Sequence, residues 1–259
     1  LLEALQEGAS LLIVGDVDQL PSVGAGLILR DLIDSGVIPT TKLDEIFRQA
    51  QDSQIVMNAH RLINGHKTTS PNGLHWEHSK GDFYFVKDDI PQSILNKVIQ
   101  SVKRQMDKYG HELKDIQVLT PIHKGVLGTW NLNRALQAAF NPPASNKAEV
   151  NLNEVTILRE GDKVIHLENN DELDVMNGEV GVVELIYDDV DKGTCVDVEY
   201  DNDKIVTYSL NDLEQLDLAF ALTVHKCQGS EYNVVISVFH DTLGTMLNRN
   251  MVYTLWTRA

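Results

Sequence analysis

A continuous apolar run, Leu11–Val14, stands directly before the polar loop GDVDQLPSVGAG, and a stripe with helical spacing follows that loop. An uninterrupted run of this kind suits a strand buried on both faces, as in a parallel sheet covered by helices on each side. The spacing over Leu27 to Ser35 places Ile28, Leu29, Leu32 and Ile33 on one face before Gly36, which suits the position just past a helix end. The same logic predicts helices over Gln54–Asn64 before Gly65, over Pro91–Tyr109 before Gly110, and over Leu127–Phe140 before Asn141-Pro142-Pro143. Strands are predicted at Ile116–Thr120 and Val234–Phe239, and Leu1, Leu2, Ala4 and Leu5 form a short helical stripe closed by Gly8. Strands alternating with helices define an α/β layered domain.

One stretch follows different rules. GDKVIHLEN, GEVGVVELIYDD, TCVDVEYDN and KIVTYSL are short β-rich runs separated by Asn177-Gly178, Asp191-Lys192-Gly193 and Asn202-Asp203, which are turn chemistry. In TCVDVEY the alternation sets Cys195, Asp197 and Glu199 on one face and Val196, Val198 and Tyr200 on the other. A small antiparallel barrel inserted between α/β elements fits this pattern, because Leu218–Val224 resumes an apolar strand. The insertion also concentrates the charge. The 259 residues carry a formal charge of −16, which by itself argues against a protein that coats nucleic acid. Glu160 to Asp217, however, holds 18 acidic residues against Lys163, Lys192 and Lys204, a local charge of −15, and leaves the remainder at −1. The charge therefore describes the insertion and says little about the α/β part.

Two cysteines, Cys195 and Cys227, are too few to staple a chain of this length, which favours a reducing, intracellular and cytoplasmic setting. No apolar run approaches the roughly 20 residues that span a bilayer, so no membrane partner is expected. The first ten residues lack a basic leader and an initial Met, which suggests an internal piece of a longer chain.

Four local clusters carry chemistry. Gly15-Asp16-Val17-Asp18-Gln19-Leu20-Pro21 follows an apolar strand, where α/β sheets place ligand-contacting groups. Gln19 suits a phosphate oxygen or an attacking water, and a tight turn capped by Asp is the plain alternative. Ile46-Phe47-Arg48-Gln49 ends a strand expected to begin near Lys42. Its Arg48 is either a phosphate clamp or a surface cation. In LTVHKCQGSE, Thr223, His225, Lys226 and Ser230 suit a nucleic-acid backbone, while Gln228, Gly229 and Glu231 suit a nucleotide; a polar loop capping the next element is equally consistent. A His-x-Cys pair without a second pair gives no metal site. Last, Asn250 to Arg258 is an apolar helix ending in Thr-Arg, and Arg258 is either an arginine finger or a cation complementing the helix dipole.

In this order, GDVDQLPSVGAG, IFRQ, LTVHKCQGSE and YTLWTRA resemble motifs III, IV, V and VI of superfamily 1 DNA helicases, and most closely the RecD-like branch. VLTPIHKGVLGTWNLNRALQAAFNP resembles the segment that precedes the inserted domain in that branch, and the acidic window sits where the branch carries an SH3-like barrel. The resemblance implies a RecA-like parallel-sheet motor fold with an SH3-like β-barrel. Residues 1–40 would end a first motor domain, 41–158 and 218–259 would form a second, and 159–217 would be the barrel. It further implies that Gln19 senses the γ-phosphate of ATP, that Arg48 and Arg258 contact it, and that Gly229 and Glu231 lie near the ribose. Thr120, Thr223, His225, Lys226 and Ser230 would follow single-stranded DNA. The implied activity is ATP-dependent 5′-to-3′ unwinding in DNA recombination or repair, with ATP and Mg2+ as cofactors and DNA junctions and nuclease or helicase subunits as partners.

A RecA-like motor needs the loop G-x-x-x-x-G-K-[ST] to cradle phosphates and hold Mg2+. None of the 17 glycines is followed by lysine, so this chain lacks it, and the Asp-Glu pair of motif II is absent as well. Taken alone, these residues are therefore expected not to hydrolyse ATP. The alternatives are a non-catalytic DNA-binding or protein-interaction module that retains helicase motifs, and a segment of a conjugative relaxase-helicase.

Overall fold

The computed structural model describes residues 5–21, 24, 26–43, 52–65 and 81–259. Its α/β part is organised on a three-stranded parallel sheet in which β1 (Ile116–Thr120) lies between β9 (Ala221–Thr223) and β10 (Val234–Ser237). Side chains alternate across β1. Ile116 and Val118 join Leu95, Val98 and Val102 of α3 (Pro91–Tyr109) and Leu132 and Leu136 of α4 (Thr129–Phe140) in one core. Leu119 points the other way, into a second core with Leu222 and with Met251 and Leu255 of α5 (Arg249–Trp256). With helices on both faces, the strand is buried at every position, as its apolar character requires.

α1 (Ile28–Asp34) and α2 (Gln54–Ile63) complete the α-helices among the described residues, and no helix there is long and apolar enough to cross a membrane. α3 begins at Pro91, where the missing N–H is not needed, and ends at Gly110 in the left-handed region at φ 74°. Gly110→Ala is expected to cost about 1 kcal/mol, because a Cβ is strained in that conformation. A urea midpoint unchanged by the substitution would remove that account of the helix end.

The first apolar run departs from expectation. Leu11–Val14 forms no strand, and Leu12 and Val14 are each 85% exposed. A strand satisfies its backbone through neighbours, and none of the described residues supplies one here. The helical stripe at the start is not formed over residues 5–8, which turn, while 1–4 lie outside the described residues. The strand expected near Lys42 is likewise absent at Lys42 and Leu43, and Ile46-Phe47-Arg48-Gln49 lies outside the described residues.

The acidic window forms a five-stranded antiparallel sheet of β4 (Lys163–His166), β5 (Val180–Asp189), β6 (Gly193–Tyr200), β7 (Lys204–Ser209) and β8 (Leu216–Leu218). Its order is β7-β6-β5-β4-β8, with a bulge between Val183 and Leu185 in β5. β7 and β8 are not hydrogen-bonded to each other, so the ladder stays open while side chains from all five strands share one core. Cys195, on the face opposite Val196, is also buried. A hairpin of β2 (Glu149–Asn151) and β3 (Ile157–Arg159), which the sequence alternation does not announce, precedes this sheet.

The two parts are joined by buried polar contacts. Asp162 is fully buried. Its Oδ2 accepts from Gln137 Nε2 at 2.6 Å and from the Arg159 N–H at 2.8 Å, and its Oδ1 accepts from Asn141 Nδ2 at 2.7 Å. Beside it, the buried Lys163 donates through Nζ to the carbonyls of Lys114 and Ile116, each at 3.0 Å. Burial pushes this ammonium down to about 8. Asn133 of α4 donates to the Leu218 and Ala221 carbonyls and accepts from the Ala221 N–H. One side chain thus ties the end of the antiparallel sheet to the start of β9.

Candidate functional site

The loop Gly15–Pro21 is held by residues more than 200 positions away. Asp16 Oδ1 accepts from the Asp18 N–H at 2.9 Å, a local turn. Its Oδ2 accepts from Gln19 Nε2 at 3.2 Å and from the Tyr253 hydroxyl at 2.9 Å. Burial, and after it the carboxylate that accepts its proton, push Tyr253 well above the ordinary phenol range. The Gln19 carbonyl accepts from Asn250 Nδ2 at 3.3 Å, and the Leu20 N–H donates to Thr254 Oγ1 at 2.8 Å. Asn250, Tyr253 and Thr254 recur at helical spacing on one side of α5, which is why a single helix can seat the whole loop.

A third segment closes on the same place. After β9, the Thr223 carbonyl accepts from the N–H groups of Lys226 and Cys227, and the chain turns through Gly229. Gln228 Nε2 then donates to the Leu20 carbonyl at 3.0 Å, so this loop touches Gly15–Pro21 directly. Cys227 packs beneath, bonded through its thiol to the Val224 carbonyl, and burial pushes that thiol up to about 12. It is a packing residue, neither nucleophile nor ligand. Among the described residues no group of three or more His, Cys, Asp and Glu side chains is arranged to hold a metal ion.

Arg258 follows α5 and is only 8% exposed. Its Nη1 donates to the Ser230 carbonyl at 3.1 Å and its own carbonyl accepts from the Tyr232 N–H, while its Nε is buried without a partner. A buried guanidinium N–H left open is costly in a finished core and suits a place where an anion completes the bonding. Glu231, Gly229 and His225 are exposed, and Lys226 and Ser230 half-buried. All five line a groove of about 1320 Å³ between their loop and the antiparallel sheet, together with Glu179, Glu199 and Lys204. Burial lowers the Lys226 ammonium despite the opposing pull of Asp217.

The structure therefore brings Gln19, Gly229, Ser230, Glu231 and Arg258 into one neighbourhood with Lys226 and His225, while Arg48 lies outside the described residues. Thr120 and Thr223, expected along the single strand, sit lower in the fold than His225 and Lys226. They are register partners at the carboxyl ends of β1 and β9, both buried, and the Thr120 hydroxyl is spent on the Leu127 carbonyl at 2.8 Å. Gln228 is half-buried, donates to the Leu20 carbonyl and lines the same groove. Asp16, Asn250, Tyr253 and Thr254 are the residues the motif reading passes over. A polar stripe inside an apolar helix is the only signal the sequence offers for the last three.

With this geometry in place, the relatives become informative. Residues 132–200 match the family described as the ATP-dependent RecD-like DNA helicase SH3 domain, residues 1–88 match an AAA domain, and residues 218–259 match the UvrD-like helicase C-terminal domain. The solved structure of Bacteroides Pif1 bound to ssDNA aligns with 95% of this chain and 58% of its own, at a TM-score of 0.51 and 16% identity, which establishes a shared fold. The architecture is a RecA-like α/β layer with an SH3-like insertion. All of the chain aligns with the ATP-dependent RecD2 DNA helicase of Deinococcus radiodurans at 36% identity, over 33% of that protein. The RecBCD enzyme subunit RecD of Mycobacterium tuberculosis aligns at 26% identity, again over the whole chain and 45% of the relative. Over its whole length the chain is similar to these RecD-like helicases, and it spans a third to a half of the length of these relatives.

Proposed function

We propose that these residues form the nucleotide-responsive half of an ATP-driven motor that moves 5′ to 3′ on single-stranded DNA and opens duplex ahead of it. One observation carries this reading: Gly15–Pro21, the loop after β9, and α5 with Arg258 converge through direct hydrogen bonds. In this reading Gln19, its amide oriented by Asp16, senses the terminal phosphate, and Arg258 with Arg48 neutralises charge there. Gly229 and Glu231 stand at the ribose, while His225, Lys226 and Ser230 follow the strand. Because α5 grips the Gly15–Pro21 loop through both backbone and side chain, a change at the phosphate shifts the two together, which is how hydrolysis becomes movement.

ATP supplies the free energy. The loop that cradles its phosphates and holds Mg2+ is absent from this sequence and belongs to residues outside it. The setting we propose is cytoplasmic recombination or repair, at DNA junctions and alongside nuclease or helicase subunits. In the test, the native full chain turns over ATP only with single-stranded DNA and unwinds a fork with a 5′ tail, while the 259-residue piece alone turns over none. DNA-stimulated turnover by the piece alone, or none by the full chain, would overturn the assignment.

A further inference from the structure

The loop after β1, Pro121–Gly128, lies beside the loop after β9 and leads into α4, whose first turn carries an aromatic side chain that packing does not explain. Trp130, at the start of α4, is 54% exposed. A large indole is normally drawn into a core or an interface, and one left open on a well-ordered element marks a contact surface. Lys124 holds its Nζ 5.6 Å from the Trp130 ring centre, and the His123 ring lies 6.3 Å away at a tilt of 42°. The mount is rigid. His123 Nδ1 meets Thr129 Oγ1 at 3.1 Å, Asn131 Nδ2 donates to the Val126 carbonyl at 2.8 Å, and Thr120 holds the Leu127 carbonyl. At Gly128 a Cβ would stand 2.4 Å from the His123 carbonyl oxygen, so only glycine allows the loop to close this tightly. The N–H groups of Thr129 and Trp130 are used on the carbonyls of Ile122 and His123, so the helix start offers the indole face and not a backbone anion site.

The charge around it identifies the occupant. β1 and β9 run parallel and end side by side at Thr120 and Thr223, which places the two loops that follow them next to each other. On a chain of net charge −16, Lys124 stands over one open aromatic ring with His123 at its side, and the neighbouring loop carries His225 and Lys226. A flat π-face with an ammonium beside it is the composition of a base-stacking step on a phosphate track.

We propose that Trp130 stacks on one base of single-stranded DNA while Lys124 meets the adjoining phosphate, making this loop the second wall of the strand's path opposite His225 and Lys226. The proposal rests on the DNA-motor reading, and the experiment separates the two. Binding of the native full chain to an oligo-dT strand and to an abasic strand of equal length is measured for wild type, Trp130→Ala and Trp130→Phe. Losing one stacked base is expected to weaken dT binding about tenfold in Trp130→Ala. Trp130→Phe retains most of the affinity, and the abasic strand does not distinguish the variants because it has no base to stack. Equal dT affinity for Trp130→Ala and wild type overturns the proposal. An equal loss on both strands overturns it too, since that is general damage and not stacking. A wild-type chain that binds neither strand removes the motor reading and this contact with it.

Discussion

Arg258→Ala in the native full chain is expected to lower the kcat for ATP about a thousandfold, the scale of a lost arginine finger. Single-stranded DNA binding should stay near wild type, because Arg258 lies behind the Ser230 carbonyl and not on the exposed wall with His225. The size of the effect separates two roles that the sequence leaves open. A cation complementing the dipole of α5 is worth at most about 2 kcal/mol of stability and would leave kcat almost untouched. The orphaned Nε favours the larger effect, since a residue placed only to cap a helix has no reason to keep a buried donor open. Arg258→Lys serves as the second variant. It keeps the charge and can still reach Ser230, but it lacks the planar fork, so it should fold normally and remain slow. A kcat within about tenfold of wild type in both variants, with a lowered melting point, would reassign Arg258 to the helix end.

The same residues show what a sequence can and cannot convey. α3 and β1 fall where their patterns place them, because Pro91, Gly110 and the apolar positions act locally and agree with the packing. Leu11–Val14 reads as a strand for an equally good local reason, yet strand formation depends on a neighbour that local pattern does not encode. Thr120 and Thr223 show a related limit. Their position at strand ends is legible, but whether a hydroxyl there faces solvent or a carbonyl such as that of Leu127 depends on the path of the following loop. The contacts that assemble the site, Tyr253 to Asp16 and Gln228 to Leu20, join positions 237 and 208 residues apart, and nothing in either local segment announces its partner. Motif order identifies the family; only the fold shows that α5 seats the Gly15–Pro21 loop.

Asp162→Ala is expected to cost about 3 kcal/mol, the range for removing a buried charged acceptor whose donors stay behind. Its carboxylate joins the end of α4 to the turn before β4, so the loss falls on the seam between the α/β layer and the SH3-like sheet. Gln137 also donates to the Ile157 carbonyl and Asn141 to the Glu160 carbonyl, which keeps the penalty from doubling. Asp162→Asn is the informative companion. It removes a desolvated charge but offers one acceptor where both oxygens are in use, and its new amide N–H group faces a donor. It should fall between alanine and wild type. The pH response supplies an independent check. Burial raises the Asp162 carboxyl above the ordinary range, so the folded state takes up this proton first as pH falls. The contribution is then fully present below the unfolded value and is lost as pH rises through the folded one. Relative to wild type, Asp162→Asn should therefore compare worst at acid pH and improve toward neutrality. A difference that stays flat across the acid range would mean that the carboxyl is not held in this desolvated seam. A loss of under about 1 kcal/mol in Asp162→Ala would mean that the apolar contacts of the shared core alone hold the two parts together.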